Sequence, residues 1–329
     1  ICKGRHCGIT ADDLECVGPT ADAEMRAFVA NALRIGRIRV PAQWLHARCD
    51  EGRAAETEMH GPAGVNNEGN RCFANAILQG WAACHDYCNL TGDGAVGTAM
   101  RDAVRTIATG GAQPASSGAL LAAMATMYPT YTGYSQHDAH AFSTRVQAAV
   151  KNESRAAGQE REVLIQTRTT CRYCHTTSIQ HNVSDGIDVD IAGTLQEALD
   201  GNEKVVTYTC MERRNPTAGC FFQREADQTL KVTSAGNVLE IRVMRYTVGP
   251  DGAGRKKTDR MTYPLTGLTV GGRAYELRAV AVHHGDCISQ GHYTTYAKRE
   301  NGWYHANDRD VSPVEEATVL GAPTIPPCS

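Results

Sequence analysis

GVNNEGNRCFANAILQ, residues 64–79, decides how the chain is read. Two glycines and three asparagines precede Cys72, and an apolar pattern follows it at once. Phe73, Ala76, Ile77, Gly80, Trp81 and Cys84 recur at the spacing of one helical face, so a buried helix is expected from about Cys72 onward. Asn70 is the natural N-cap, which puts Cys72 in the first turn. Unpaired main-chain N–H groups there favour an anion and Arg71 adds a cation, so a lowered thiol pKa is expected. Gly64 and Gly69 permit close approaches of the backbone, leaving Asn67 to present an amide N–H beside the sulfur. A carbonyl attacked by Cys72 would develop its negative charge against that amide and the Cys72 N–H. The stretch taken alone equally suits a buried structural cysteine behind a polar loop.

A cysteine nucleophile needs a base held by a rigid element. Of the twelve histidines, most stand singly in polar surroundings. His292 differs: Tyr275 to His283 alternates like a strand, Gly291 frees the backbone, and 292–297 can pair with 303–307 through the turn Lys-Arg-Glu-Asn-Gly. If that turn centres near Arg299 and Glu300, His292 comes to lie roughly opposite Asn307 on one sheet face. Asn307 then orients the imidazole, with Asp308 next to it as possible support. An ordinary half-buried hairpin with an incidental histidine fits the same residues.

The remaining composition sets bounds. With 329 residues the chain can bury a sizeable core. Lysine plus arginine number 33 against 36 acidic residues, a formal charge of −3 that disfavours nucleic acid or anionic lipid as a partner. The longest apolar run, 119–127, is too short to span a bilayer, and residues 1–20 lack a signal-peptide layout, so the chain reads as soluble and not Sec-exported. Thirteen cysteines, an odd number with short pairs such as 171–174, fit free thiols and metal ligation better than a disulfide framework. Residues 62–150 favour helices, including one from 118 to 127, whereas 162–311 favour strands, which makes the fold α+β. A separate helix is expected at 21–35.

Taken together the boxes become specific. GVNNEGNRCFANAILQ resembles the cysteine box of the ubiquitin-specific proteases, and VHHGDCISQGHYTTYAKRENGWYHANDRDV (282–311) resembles their histidine box. YSQHDAHAF (134–142) and LEIRVMRY (239–246) resemble two further motifs of that family, in the right order, as expected of a divergent member. The resemblance implies a papain-like fold, with a helical thumb over about 61–160, zinc-ribbon-like β fingers over about 161–235 and a β-sheet palm over about 236–320. Residues 1–60 become an amino-terminal extension of unknown role and 321–329 a tail.

Carried over by position, Cys72 is the nucleophile, His292 the base, Asn307 the orienting residue and Asn67 the oxyanion donor. Asp138 is placed to receive the basic tail of ubiquitin, alongside Gln136, Gly291 and Tyr293. Ser135 makes a capping box with Asp138, and Phe142, Val146 and Val150 give the helix that follows a buried face. The implied activity is hydrolysis of the bond after ubiquitin's C-terminal glycine, with ubiquitin or ubiquitinated proteins as partners. An inactive ubiquitin-binding scaffold is the alternative from another class. His137 replaces a family Gln and Ala141 a common family Glu, which admits a ubiquitin-like modifier as substrate. Cys171 and Cys174 form a metal knuckle, and Cys210 with Cys220 would complete a structural zinc site. Reduced thiols and this substrate class suggest the cytoplasm or nucleus.

Overall fold

The computed structural model describes residues 62–84, 92–111, 113–154, 161–201, 203–210, 223–248, 254–285 and 290–321. The chain divides into two units, Ile1–Met59 and His60–Ser329, and the described residues all belong to the second. The helix expected at 21–35 lies outside them.

Four helices come first: α1 (Cys72–Ala82), α2 (Ala95–Thr109), α3 (Gly118–Ala125) and α4 (Ala139–Glu153). Leu78, Met100, Ile107, Leu120, Met124, Phe142 and Val146 are fully buried where these helices meet. Emptying such a site, as in Phe142→Ala, costs about 3–5 kcal/mol. Glu153, the last residue of α4, accepts from the N–H groups of Val96 and Gly97, both at 2.9 Å. Its carboxylate thus satisfies orphan donors at the start of α2 and complements the helix dipole. Among the described residues no helix is long and apolar enough to cross a membrane.

Packed between α2 and α4 on one side and a sheet on the other, α1 has little room for polar side chains, and the two it buries are both engaged. Gln79 donates to the Ala63 carbonyl at 2.8 Å and accepts from Arg299 at 2.9 Å. Asn75 donates to the Asp308 carboxylate at 2.8 Å. Buried polar groups need such partners, since an unmade bond costs about 1–3 kcal/mol.

Strands are numbered along the chain: three short pairs are β1 (Val65–Asn66) with β2 (Ala115–Ser116), β5 (Ile187–Val189) with β8 (Ile241–Val243) and β9 (Tyr246–Val248) with β10 (Gly254–Lys256), and the strand-rich part also holds two four-stranded antiparallel sheets. One has the order β4-β3-β7-β6, from β3 (Val163–Cys171), β4 (Thr177–Ser184), β6 (Glu203–Thr209) and β7 (Gln223–Ala235). The other runs β13 (Ala279–His284), β14 (His292–Arg299), β15 (Gly302–Asn307) and β16 (Asp310–Val314) in chain order. A second apolar core, with Val163, Ile187, Val189, Leu195, Ala235 and Met261, lies under the first sheet and the segments that link the two.

Two sequence expectations are corrected. Tyr275 to His283 is not one strand: it splits into β12 (Arg273–Glu276), paired with β11 (Thr266–Val270), and β13 of a different sheet. The hairpin turn is Glu300–Asn301, between the paired residues Arg299 and Gly302. Thr295 therefore faces Ala306, and Asn307 falls beside Thr294, not beside His292. The slip is two residues. A strand's side-chain period is also two, so Asn307 stays on the face of His292.

Candidate active site

The loop before Cys72 is shaped by its glycines and asparagines, though not by the cap the sequence suggests. Asn70 adopts a left-handed φ of 53° and donates to the Tyr134 carbonyl at 2.8 Å, while Arg71 occupies the cap position with no side-chain cap bond. Asn67 takes up the slack, its Oδ1 accepting from the Arg71 N–H at 2.8 Å. Gly64 is required by a close approach: a Cβ there would lie 2.0 Å from the Arg309 carbonyl oxygen. The Val65 N–H donates to the Asp308 carbonyl at 2.8 Å. The cysteine loop is thereby bonded to the turn that follows Asn307.

Cys72 is only 3 % exposed, and its thiol pKa is raised, not lowered. Burial is the largest cause, and the negative Asp308 adds to it. The N–H of Tyr293, which donates to the sulfur, and those of Phe73 and Cys72 act in the opposite sense without prevailing. Desolvation outweighs the helix start because the sheet covers the first turn of α1. The resting sulfur is a neutral thiol.

His292 and Asn307 are in contact: Nε2 lies 2.7 Å from the Asn307 Oδ1. A carboxamide oxygen only accepts, so Nε2 carries the proton and, in the neutral ring, Nδ1 keeps its lone pair. Gly291 and Tyr293, on either side of His292, line a crevice together with Cys72. Cys72, in the first turn of α1, thus shares its crevice with the two neighbours of His292 at the start of the hairpin.

Asp308 does more than stand beside Asn307. Its Oδ2 is 3.9 Å from the His292 Nε2 and accepts from the Asn67 Nδ2 at 2.8 Å. Its Oδ1 accepts from the Asn75 Nδ2, also at 2.8 Å. Asn75, 1 % exposed, donates as well to the Asn66 carbonyl at 3.2 Å. One carboxylate therefore ties α1, the cysteine loop and the histidine hairpin together. Sequence reasoning passed over Asn75, yet a lone amide inside the apolar run Cys-Phe-Ala-Asn-Ala-Ile-Leu is the signal that would have found it.

In the same crevice, Gln136 clasps Gly291 from both ends of its amide, donating to the carbonyl at 2.9 Å and accepting from the N–H at 3.1 Å. Asp138 itself is the N-cap of α4, its Oδ1 accepting from the Ala141 N–H at 2.7 Å, so the Ser135 capping box is corrected. Its Oδ2 accepts from the Tyr293 hydroxyl at 3.3 Å. His137 packs edge-on against Phe73 and Tyr131 and bonds the Thr130 carbonyl at 3.1 Å. That aromatic packing accounts for the histidine in this motif.

Away from the cleft, the sulfurs of Cys171, Cys174 and Cys210 lie within 4.8 Å of one another, with Cys174 and Cys210 at 3.5 Å. Cys171 ends β3, Cys174 sits in the turn toward β4, and Cys210 follows β6. Four thiolates about 2.3 Å from a tetrahedral zinc stand roughly 3.8 Å apart, and this cluster has that scale. It could bind a metal. Cys220 falls outside the described residues.

Residues 63–325 match the sequence description of the family Ubiquitin carboxyl-terminal hydrolase. The chain belongs to that family. Proteins called Ubiquitin carboxyl-terminal hydrolase 3 from Homo sapiens and Mus musculus are 24 % and 23 % identical to it over 79 % and 78 % of this chain. The chain spans 66 % and 65 % of their own length, just under two thirds. Ubiquitin carboxyl-terminal hydrolase 23 of Arabidopsis thaliana is 26 % identical over 78 % of the chain and 34 % of that protein.

Among solved structures, the SAGA DUB module Ubp8/Sgf11/Sus1/Sgf73 bound to monoubiquitin is similar with a TM-score of 0.66 and 20 % identity, over 84 % of this chain and 72 % of that one. The same module bound to ubiquitin aldehyde gives 0.63 at 20 % identity, over 85 % and 71 %. At that identity the likeness speaks for the fold. Within the papain-like fold of this family, the chain carries the Cys72 thiol on the helical lobe and the His292 imidazole on the sheet lobe.

Proposed function

We propose that the chain is a thiol-dependent deubiquitinase that hydrolyses the isopeptide bond after the C-terminal glycine of ubiquitin. His292 Nδ1 takes the Cys72 proton as the sulfur attacks the glycine carbonyl. The developing oxyanion is met by the Cys72 main-chain N–H and the second hydrogen of the Asn67 Nδ2, whose first is held by Asp308. Collapse breaks the C–N bond, and the imidazolium returns its proton to the departing lysine amine. His292 then deprotonates a water that attacks the thioester, releasing the carboxylate and restoring the thiol.

The observation that carries the reading is the 2.7 Å contact of the His292 Nε2 with Asn307, which leaves the Nδ1 lone pair for the thiol proton, while Gly291 and Tyr293 on either side of His292 line the crevice with Cys72. Asp138, Gln136, Gly291 and Tyr293 lie around that crevice and are assigned to the ubiquitin tail. The cysteine cluster is assigned to a structural zinc with Cys220 as fourth ligand; zinc bound there would tie the β3–β4 turn to the end of β6 and take no part in the reaction.

Ubiquitin carrying a C-terminal electrophile tests the proposal. A covalent adduct with the native chain that is lost in Cys72→Ala supports it. Tight binding without an adduct would instead make the chain a scaffold. Ala141 favours running ubiquitin-like modifiers in parallel, since the start of α4 carries no carboxylate there.

A further inference from the structure

We propose that His283 is a substrate-binding residue, donating its Nε2 hydrogen to a main-chain carbonyl of the ubiquitin segment just before the scissile bond. The role rests on the deubiquitinase reading for its substrate, but its geometry is independent of Cys72, His292 and Asn307.

His283 lies near the end of β13, directly opposite Tyr293 of β14, and lines the crevice that contains Cys72. Two groups converge on its Nδ1: the Tyr246 hydroxyl at 3.0 Å and the Lys256 ammonium at 3.5 Å. Lys256 is fixed there because it also donates to the carbonyls of His283, at 2.9 Å, and Gly285, at 2.7 Å. An ammonium can only donate, so a proton on Nδ1 would face a positive charge. Nδ1 is therefore the acceptor, and the neutral ring carries its hydrogen on Nε2. Burial first, then Lys256, lowers the His283 pKa to about 4, so this tautomer stays neutral across the physiological range.

The Nε2 has no hydrogen-bond partner among the described residues. It occupies the space a side chain at Gly291 would need: a Cβ there would lie 2.2 Å from it. The ring is further held against Tyr293, centroids 4.7 Å apart. A donor with its tautomer fixed from behind, held against Gly291 in the lining of the crevice that contains the nucleophile, suits an acceptor that only a bound chain supplies. A peptide carbonyl in extended backbone is such an acceptor, and the glycine at 291 is what lets the ring reach it.

The test compares His283→Phe, which keeps ring packing without the donor, with His283→Gln, whose amide places an N–H near the position of Nε2. Each is assayed on ubiquitin bearing a fluorogenic C-terminal amide, and separately for alkylation of Cys72 by chloroacetamide. His283→Phe is expected to lower kcat/KM about tenfold, mainly through KM, and His283→Gln to recover most of it. Chloroacetamide should react equally with all three. Native turnover in His283→Phe, or equal impairment of both variants at unchanged melting temperature, would overturn the assignment. So would a parallel loss of alkylation, which would make His283 a partner of the thiol. A native chain that neither turns over nor captures ubiquitin defeats the deubiquitinase reading itself, a result distinct from all of these.

Discussion

The Thr295 hydroxyl donates to the main-chain carbonyl of Ala76 at 2.8 Å, joining residues 219 apart in sequence. Ala76 lies one helical turn beyond Cys72, and Thr295 lies three residues beyond His292 on β14. Both are buried, with Thr295 at 0 % exposure. The bond fixes how far α1 can slide along the strand, and with it the separation of thiol and imidazole. Thr295→Val keeps the shape and removes the bond. It should cost about 0.5–1.5 kcal/mol in urea unfolding and slow capture of Cys72 by ubiquitin electrophiles. Native stability together with native capture would show that packing alone sets the register.

Asp308 is predicted to be a structural residue as much as a chemical one. Its carboxylate accepts from Asn67 and from the buried Asn75, and removing it strands both amides. Asp308→Ala should lose about 1–3 kcal/mol, lowering Tm by roughly 2–4 °C per kcal/mol. Asp308→Asn, which retains one acceptor, should fall between. A full loss of activity with Tm unchanged in the Ala variant would confine Asp308 to the chemistry.

Several of these relationships were legible in sequence and several were not. The helix after Cys72, the helix over 139–153 and the hairpin from His292 follow local periodicity, which one stretch of chain contains in full. The cap at Arg71 was hidden because Asn70 is among the residues that tolerate a left-handed φ, and here it uses its amide on Tyr134 instead. The two-residue slip of the hairpin came from placing the turn one residue early, although face parity preserved the His292–Asn307 contact. The direction of the Cys72 pKa shift depends on how deeply the sheet covers α1, a tertiary quantity. His283 and His284 stand side by side in sequence, and only the fold sends one toward Tyr246 and Lys256 and the other to Thr294.

Acid should destabilise the fold through its histidines. His283 is lowered to about 4, and His137, His284 and His305 are also lowered, burial being the first cause each time. Because the folded values lie below the unfolded value of 6.5, the unfolded chain binds more protons as pH drops past that value. Their contribution is complete above 6.5 and is lost as pH falls toward about 4. Urea midpoints measured across that window should decline, less steeply in His283→Phe. A flat profile would refute the lowered pKa values of these half-buried histidines.

The raised pKa of Cys72 predicts a slow thiol in the absence of substrate. Iodoacetamide should modify it along a titration whose midpoint lies above the ordinary value of 9.0. Asp308→Asn, which removes the nearby negative charge, should move that midpoint down. A plateau already reached at neutral pH would mean that the thiolate and the His292 imidazolium form a resting ion pair, contrary to the burial argument.

The cysteine cluster makes its own prediction, separable from the cleft. Three thiols gathered within 4.8 Å, two of them buried, present three soft ligand atoms at the spacing of a tetrahedral metal site. A zinc ion bound there would join the turn after β3 to the end of β6, which no strand pairing among the described residues does directly. The purified chain should therefore carry about one zinc per molecule by elemental analysis. Cys174→Ser should lose most of it, and a strong chelator should lower Tm while leaving the rate of Cys72 alkylation unchanged. Zinc content that is negligible in the native chain, or that survives Cys174→Ser intact, would remove the assignment.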